Sequence, residues 1–151
     1  MTWPVVLTEL PKRTETHNQI RKFYVENYEV ADHLMPTPHD LNNPKLMTHA
    51  AIAKDGEWMA VSSILMRSPN LAEIQRTVVG KLYRGIGMSN DVFTHQRDLL
   101  YDRGFRKIAC EVYADNLRML HVRMKQGFRI EGCHHDHDAP GVDEYTLGLT
   151  L

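Results

Sequence analysis

Leu71-Ala72-Glu73-Ile74-Gln75-Arg76-Thr77-Val78-Val79 runs straight into Gly80-Lys81-Leu82-Tyr83-Arg84-Gly85-Ile86-Gly87-Met88-Ser89. The first nine residues have the length and β-rich character of a strand. The next stretch, Gly80 to Gly87, holds three glycines and reads as a loop. A helix is expected after it, to about Arg103, with Val92, Gln96, Leu99 and Arg103 along it and Phe93 and Leu100 widening its apolar face. Gly104 then stands where a left-handed cap residue is preferred. A strand that enters a glycine-rich turn and leaves it as a helix presents the unpaired N–H groups of the helix start, and the positive end of its dipole, to the space in front. Gly85, Gly87 and Ser89 are small enough for an anion to approach that backbone, and Arg84 offers a charged fork for a phosphate. An ordinary strand-to-helix turn that binds nothing is the structural alternative.

Working outward, Val5 to Leu10 is a short β-rich run closed by Pro11. Thr14 is placed to cap a helix through about Tyr28, with Ile20, Phe23 and Tyr24 on its apolar stripe. Residues 29–45 carry three prolines and read as a short helix plus loop. His49 to Ala53, Asp55-Gly56 and Trp58 to Met66 make a hairpin signal, and Ser68-Pro69-Asn70 is the turn into Leu71. Past Gly104, Lys107 to Tyr113 is β-rich, Asn116 to Gln126 helical, Gly127-Phe128 opens a strand, and a last strand runs from about Glu144 to Leu151. The order β-α-(α)-β-β-β-α-β-α-β-β fits one mixed sheet with helices on both faces, an α/β or α+β fold.

Composition bounds the function. The 151 residues suit a single domain, 1–151, and 42% hydrophobic with 25% charged residues is ordinary for a globular chain. No apolar run approaches the ~20 residues that span a bilayer, and the opening Met1-Thr2-Trp3-Pro4-Val5 lacks a signal-peptide layout. With Cys110 and Cys133 the only cysteines, a reduced, cytoplasmic chain is expected. A formal charge of -1 argues against nucleic acid as a partner. The charge is unevenly placed: Arg76 to Lys107 has seven basic and three acidic residues, whereas His134 to Leu151 has four acids and no Lys or Arg. That layout suits a phosphate site beside a cation site, or is scatter over a solvated surface.

Arg84-Gly85-Ile86-Gly87-Met88-Ser89 resembles the Arg/Gln-x-x-Gly-x-Gly/Ala signature of the GCN5-related N-acetyltransferase (GNAT) superfamily. Ala72-Glu73-Ile74 to Val79 resembles that family's fourth strand. Cys110-Glu111-Val112-Tyr113-Ala114-Asp115-Asn116, followed by Lys125-Gln126-Gly127-Phe128, resembles its fifth strand, fourth helix and terminal Gly-Phe. The resemblance covers about residues 71–130 and implies a splayed sheet, acetyl-CoA as co-substrate with no metal, and direct transfer of acetyl to a primary amine. The acceptor it implies is a small cationic amine, or a protein N-terminus or lysine; the family often forms homodimers. It also implies roles. The pyrophosphate falls to the backbone of Arg84, Gly85, Ile86, Gly87, Met88 and Ser89 with the Arg84 side chain, and the pantetheine pairs along Thr77 to Val79. The Val79 N–H becomes an oxyanion donor, and Asn116 bonds coenzyme A or braces the fifth strand. Asn116 has a plainer reading as a helix N-cap.

Glu73 and Glu111 compete as general base, matching positions used in two branches of the family. By strand alternation Glu73 shares a face with Thr77 and Val79, which favours it slightly over Glu111. A surface salt bridge is the plainer role for either glutamate. Two departures stand out. Ser89 replaces the usual Gly or Ala, and Arg123 stands where many members carry the tyrosine that protonates the departing thiolate. Arginine is a poor proton donor. Tyr113, His121 or water is left for that task, with Arg123 steadying the thiolate or binding an acceptor carboxylate. A catalytically silent acyl-CoA-binding module is the alternative function.

His134-His135-Asp136-His137-Asp138 invites a metal reading. Consecutive residues point in different directions, however, so a polar loop between the last two strands, attractive to a cationic amine, is expected instead. Cys110 reads as a small buried hydrophobe rather than a nucleophile. Trp58, Met59, Met66 and Met88 read as core or pocket lining, and the 29–45 stretch, with His33, His39 and Asp40, as an acceptor-side loop.

Overall fold

A computed structural model describes residues 6–28 and 35–151; His33 and the first residue of the opening run lie outside them. Seven strands form one sheet: β1 (Val6–Glu9), β2 (Leu46–Ile52), β3 (Trp58–Met66), β4 (Leu71–Val79), β5 (Lys107–Tyr113), β6 (Arg129–Ala139) and β7 (Val142–Thr150). Their spatial order is β1-β2-β3-β4-β5-β7-β6. Only β4 and β5 run parallel; the other pairs are antiparallel. The helices are α1 (Thr14–Asn27), α2 (Pro38–Asn42), α3 (Met88–Asp102) and α4 (Leu117–Lys125), with a 3-10 turn at Lys81–Tyr83. Among the described residues no helix is long and apolar enough to cross a membrane.

The helices take opposite faces. Ile20, Phe23 and Tyr24 of α1 and Leu41 of α2 pack on Leu46, Ala50, Val61 and Val78. Phe93 and Leu100 of α3 and Leu120 of α4 pack on Ile64, Ala72, Ile74, Ile108 and Leu147 from the other side. Each such fully buried Leu or Ile contributes about 1.5–3 kcal/mol relative to exposure.

Several expectations are corrected at element ends. Arg13, not Thr14, is the N-cap of α1, and no side chain caps it; Thr14 is already helical. A capping box instead forms at α2, where Thr37 and Asp40 hold each other's backbone amides. The expected polar loop at 134–138 belongs to β6, as a bulged extension. His134 pairs with Glu144 and Ala139 with Val142, so three extra residues stand on the β6 side, and Asp136 turns through φ 50°.

Two features of β4 set up everything else. Its parallel pairing with β5 stops after Leu71–Lys107, Ala72–Ile108 and Glu73–Ala109. Both strands continue, β4 to Val79 and β5 to Tyr113, but apart. Secondly, Val78 pairs with Val61 and Gln75 with Ser63, so Ser62 alone opposes Arg76 and Thr77. This is a β-bulge, with Arg76 at φ 49°. The Tyr24 hydroxyl donates to the Arg76 carbonyl at 3.1 Å and ties the bulge to α1. One extra residue reverses side-chain alternation. Ile74 faces α3, whereas Val78, four residues on, faces α1. The expectation that Glu73 shares a face with Thr77 and Val79 is therefore overturned.

Three substitutions test this account. Gly87, the N-cap of α3, sits at φ 86°, and a Cβ added there would meet no atom within 4 Å, so its glycine answers to conformation and not to space. Gly87→Ala is expected to cost about 1–2 kcal/mol in denaturant unfolding. Gly132→Ala, equally open but without a positive φ, is expected to be neutral or to stabilise by up to about 1 kcal/mol; equal effects at both sites would refute the distinction. His49 is 4% exposed, and its pKa is lowered from 6.5, first by burial. The fold thus binds the neutral ring, so the stability His49 confers is complete above pH 6.5 and is lost as pH falls below it. The fall in Tm between pH 7 and about 5 is expected to shrink in His49→Gln.

Candidate functional site

The turn after β4 behaves as the local sequence demands. The residue at φ 79° is Gly85 and that at φ 86° is Gly87. Among the described residues no backbone carbonyl takes the amides of Gly85, Ile86, Gly87, Met88 or Ser89, and the carbonyl of Gly87 receives those of Asn90 and Asp91. The Met88 side chain is buried against Met59, Ala60 and Val92, which anchors the helix start. Ser89 Oγ is buried without a partner. The turn therefore carries a row of free amides and one orphaned hydroxyl, the donor set an anionic group needs.

Arg84 turns inward. Its Nε donates to the Val79 carbonyl at 3.1 Å and one Nη to the Asn27 carbonyl, lashing the turn to the ends of β4 and α1. Asn27 Oδ1 in turn accepts the Lys81 amide at 2.9 Å. Gly80 N–H donates to the Met59 carbonyl at 2.8 Å, and Val79 pairs with Ala60. Since ladder bonds alternate in direction, the Val79 amide points away from β3, toward the open side.

The gap between β4 and β5 is a cleft of about 310 Å³. Of the residues singled out from sequence, Glu73, Thr77, Glu111 and Asn116 line it, together with Cys110, Tyr113 and Arg123. Val79 and Arg84 through Ser89 continue from its β4 wall. A larger hollow of about 410 Å³ lies between α1 and the 3-10 turn, where the Tyr83 hydroxyl donates to Glu57 at 2.7 Å. It contains none of the cleft's residues.

The cleft's two sides differ in charge. On the α1 side, Glu111 is exposed and makes no hydrogen bond or ion pair with another described residue. Glu144 of β7 lies opposite Tyr113, and burial, then the Glu111 charge, raise its pKa above 4.5. Glu73 has both oxygens engaged: Arg67 Nε donates to one and Gln75 Nε2 to the other, each at 2.7 Å. The Tyr113 hydroxyl donates to Asp138 at 2.7 Å, and burial with that bond pushes its pKa well up. Tyr113 is therefore a poor acid, and His121 does not line the cleft.

On the opposite side Arg123 is buried, with Nη1 donating to Gln126 Oε1 at 3.0 Å and Nη2 to Thr77 Oγ1 at 3.3 Å. Thr77 continues to Ser62 (2.8 Å), and the Ser62 hydroxyl donates to Gln96 Oε1 at 3.2 Å. At the other end Gln126 Nε2 donates to Asn90 Oδ1 at 2.8 Å. Sequence reasoning missed this chain: Gln96 had no visible reason to be polar, and the bulge that turns Thr77 toward it has no sequence signal. Asn116 is the N-cap of α4, its side chain accepting the Met119 amide at 3.2 Å. Cys110 is 2% exposed, and burial raises its thiol to about 11, as befits a core thiol.

The histidine run departs from strand alternation, because the bulge at Asp136 brings His134 and His137, three residues apart, together. His134 bonds Thr146 and stacks on His137 at 4.7 Å between centroids, while His135 pairs with Asp143 at 3.2 Å. Cys133, His135 and Asp143 bring ligand atoms within 4.8 Å of one another, two of the three residues being exposed. Asp40 is occupied in its capping box, and His39 is exposed.

A profile of the acetyltransferase (GNAT) family matches residues 13–128. A search by sequence finds no match among curated proteins. Among solved structures the chain is similar to the ribosomal-protein-S18-alanine N-acetyltransferase from Escherichia coli, with a TM-score of 0.81 at 14% identity over 97% of this chain and 93% of that one. It is also similar to an aminoglycoside 6'-N-acetyltransferase complexed with coenzyme A (0.79, 12% identity, 96% of each chain). The spermidine/spermine N-acetyltransferase from Vibrio cholerae gives 0.76 at 13% identity over 97% and 92%. The seven-stranded open sheet, the parted fourth and fifth strands and the profile match across most of the chain lead to one conclusion: this protein belongs to the GNAT acetyltransferase family.

Proposed function

We propose that the 1–151 chain is one acyltransferase domain that moves acetyl from acetyl-CoA directly to a primary amine. The observation that carries this reading is the parting of β4 and β5 beside the free amides of the α3 start. The acyl arm of acetyl-CoA runs through two amides and joins its nucleotide through a diphosphate. Gly85 to Ser89 offer N–H groups and the orphaned Ser89 Oγ to the diphosphate. The unpaired edge of β4 at Thr77 to Val79 suits the amides, as an added strand. When bound, the carrier supplies an activated acetyl group. Arg84, already committed to Val79 and Asn27, acts as a strut for the turn, and the phosphate role falls to the backbone. The Val79 amide is the donor for the oxygen that gains charge, and Asn116 acts from the α4 start.

The chain's own residues then handle the amine. An ammonium must lose a proton before it attacks. Glu111 is better placed than Glu73 for this, because both Glu73 oxygens already accept hydrogen bonds. Glu144, its anion disfavoured by burial and by Glu111, is a second acceptor for that proton. The acidic wall of Glu111, Glu144 and Asp138 favours a small cationic amine over a peptide end, and a cytoplasmic setting would supply both substrates.

Calorimetry with acetyl-CoA, then thiol release with polyamines, amino acids and N-terminal or lysine peptides, tests the reading. Binding and turnover on cationic amines are expected; binding without turnover on any amine would leave an acyl-CoA-binding module. Glu111→Gln is expected to lower kcat about 10²-fold or more and Glu73→Gln far less. Unchanged rates in both would end the general-base assignment.

A further inference from the structure

We propose that Arg123 is a preformed anion site on the β4–β5 cleft, and that its ligand is the thiolate sulfur released from the acyl carrier. The inference rests on the function proposed above.

Arg123 is only 4% exposed, yet among the described residues no carboxylate pairs with it. Its Nε is buried without an acceptor, and its two bonds to neutral groups leave other donors free. The rings of Phe93 and Phe128, 5.9 and 5.6 Å from the guanidinium carbon, shield the charge without neutralising it. Cys110 is no counter-ion, since burial keeps it a thiol. A buried charge without a counter-ion is costly, and here it belongs to a residue that lines a cleft.

Its orientation is imposed from both ends. The single Ser62 proton goes to Gln96, so Thr77 must donate to Ser62, and the Thr77 oxygen is left to accept from Arg123. Gln126, braced by Asn90, accepts from the other nitrogen. Both neighbours present oxygens only, so the guanidinium is held in place without being offered an anion.

Once the tetrahedral oxyanion has collapsed, acyl transfer leaves one product anion in this cleft. The amine lone pair forms the C–N bond, the C–S bond breaks, and its electron pair stays on sulfur. The amine proton leaves toward Glu111 or Glu144 across the sheet, and water later protonates the thiolate. Arginine is too weak an acid to give up a proton. As a fixed cation it lowers the energy of the charged sulfur directly.

The test compares binding of coenzyme A with that of desulfo-coenzyme A, in which hydrogen replaces the thiol, from about pH 6 to 9 by calorimetry. Other ionisable groups around the cleft are Glu73 and Arg76 of β4, Cys110, Glu111 and Tyr113 of β5, Glu144 of β7, and Tyr28 after α1. Both ligands share every contact except the sulfur, so effects of these groups on the rest of the carrier cancel in the ratio, and the Arg123 variants separate any that act on the sulfur. The preference for coenzyme A is expected to rise about tenfold or more with pH, its midpoint below the ordinary thiol value of about 8.5. Arg123→Gln should abolish the rise and Arg123→Lys keep part of it, with thermal unfolding confirming that both variants fold. A wild-type ratio that does not change with pH, or a rise that survives Arg123→Gln, would overturn the proposal. So would malonyl-CoA binding more tightly than acetyl-CoA through Arg123 at every pH, which would make a carboxylate the ligand. Failure of both ligands to bind would instead strike at the proposed function itself.

Discussion

Backbone amides and carbonyls inside a protein must find partners, and β4 and β5 leave theirs unmet beyond three residue pairs. The parting persists because each strand is committed elsewhere. β4 is zipped to β3 almost to its end, and β5 to β7 over all seven of its residues. The bulge at Arg76 adds local twist, and the Tyr24 hydroxyl holds it from α1. The sheet cannot close the gap without breaking one of its antiparallel ladders. A slot edged by unpaired peptide groups is the result, and an amide-bearing ligand is its natural complement.

The same bulge sorts the charges. Before it, Glu73 faces the α1 side with Glu111 and Glu144; after it, Thr77 faces the α3 side and meets Arg123. Without the extra residue Thr77 would fall on the acidic wall, and the chain from Gln96 through Ser62 to Arg123 would have no middle. The sheet thus separates a carboxylate wall, suited to take a proton and attract a cation, from one buried guanidinium suited to an anion. The glycine turn supplies a third element, main-chain amides at the helix start, which Arg84 holds in place from behind.

Much of this was legible in the sequence. β3, β4 and β5 fall on their expected bounds, because runs of β-rich residues between Asp55-Gly56, Ser68-Pro69-Asn70 and Gly104 leave little choice of register. Gly85, Gly87 and Gly104 do adopt positive φ, a requirement that glycine announces locally. The cap at Asn116 and the buried Cys110 also follow from residue type. Less legible were β6, whose polar composition resembles a loop but which is held by β7, and α1, where Arg13 rather than Thr14 occupies the cap.

Element order, the glycine turn and the set of residues near the cleft were thus determined by local sequence, because each depends on backbone preference or on a short period of apolar residues. Which side of the sheet each residue faces was decided only by tertiary structure. The bulge at Arg76 is a misfit between β3 and β4 that neither strand reveals alone, and it shifts every later side chain of β4 to the opposite face. The partners of Arg84, Glu73 and Arg123 likewise come from distant elements: α1 for the first, β3's end for the second, and β4 for the third. Long-range packing, which no local pattern encodes, ties the Arg84 side chain to the Val79 and Asn27 carbonyls and buries Arg123 with no carboxylate partner among the described residues.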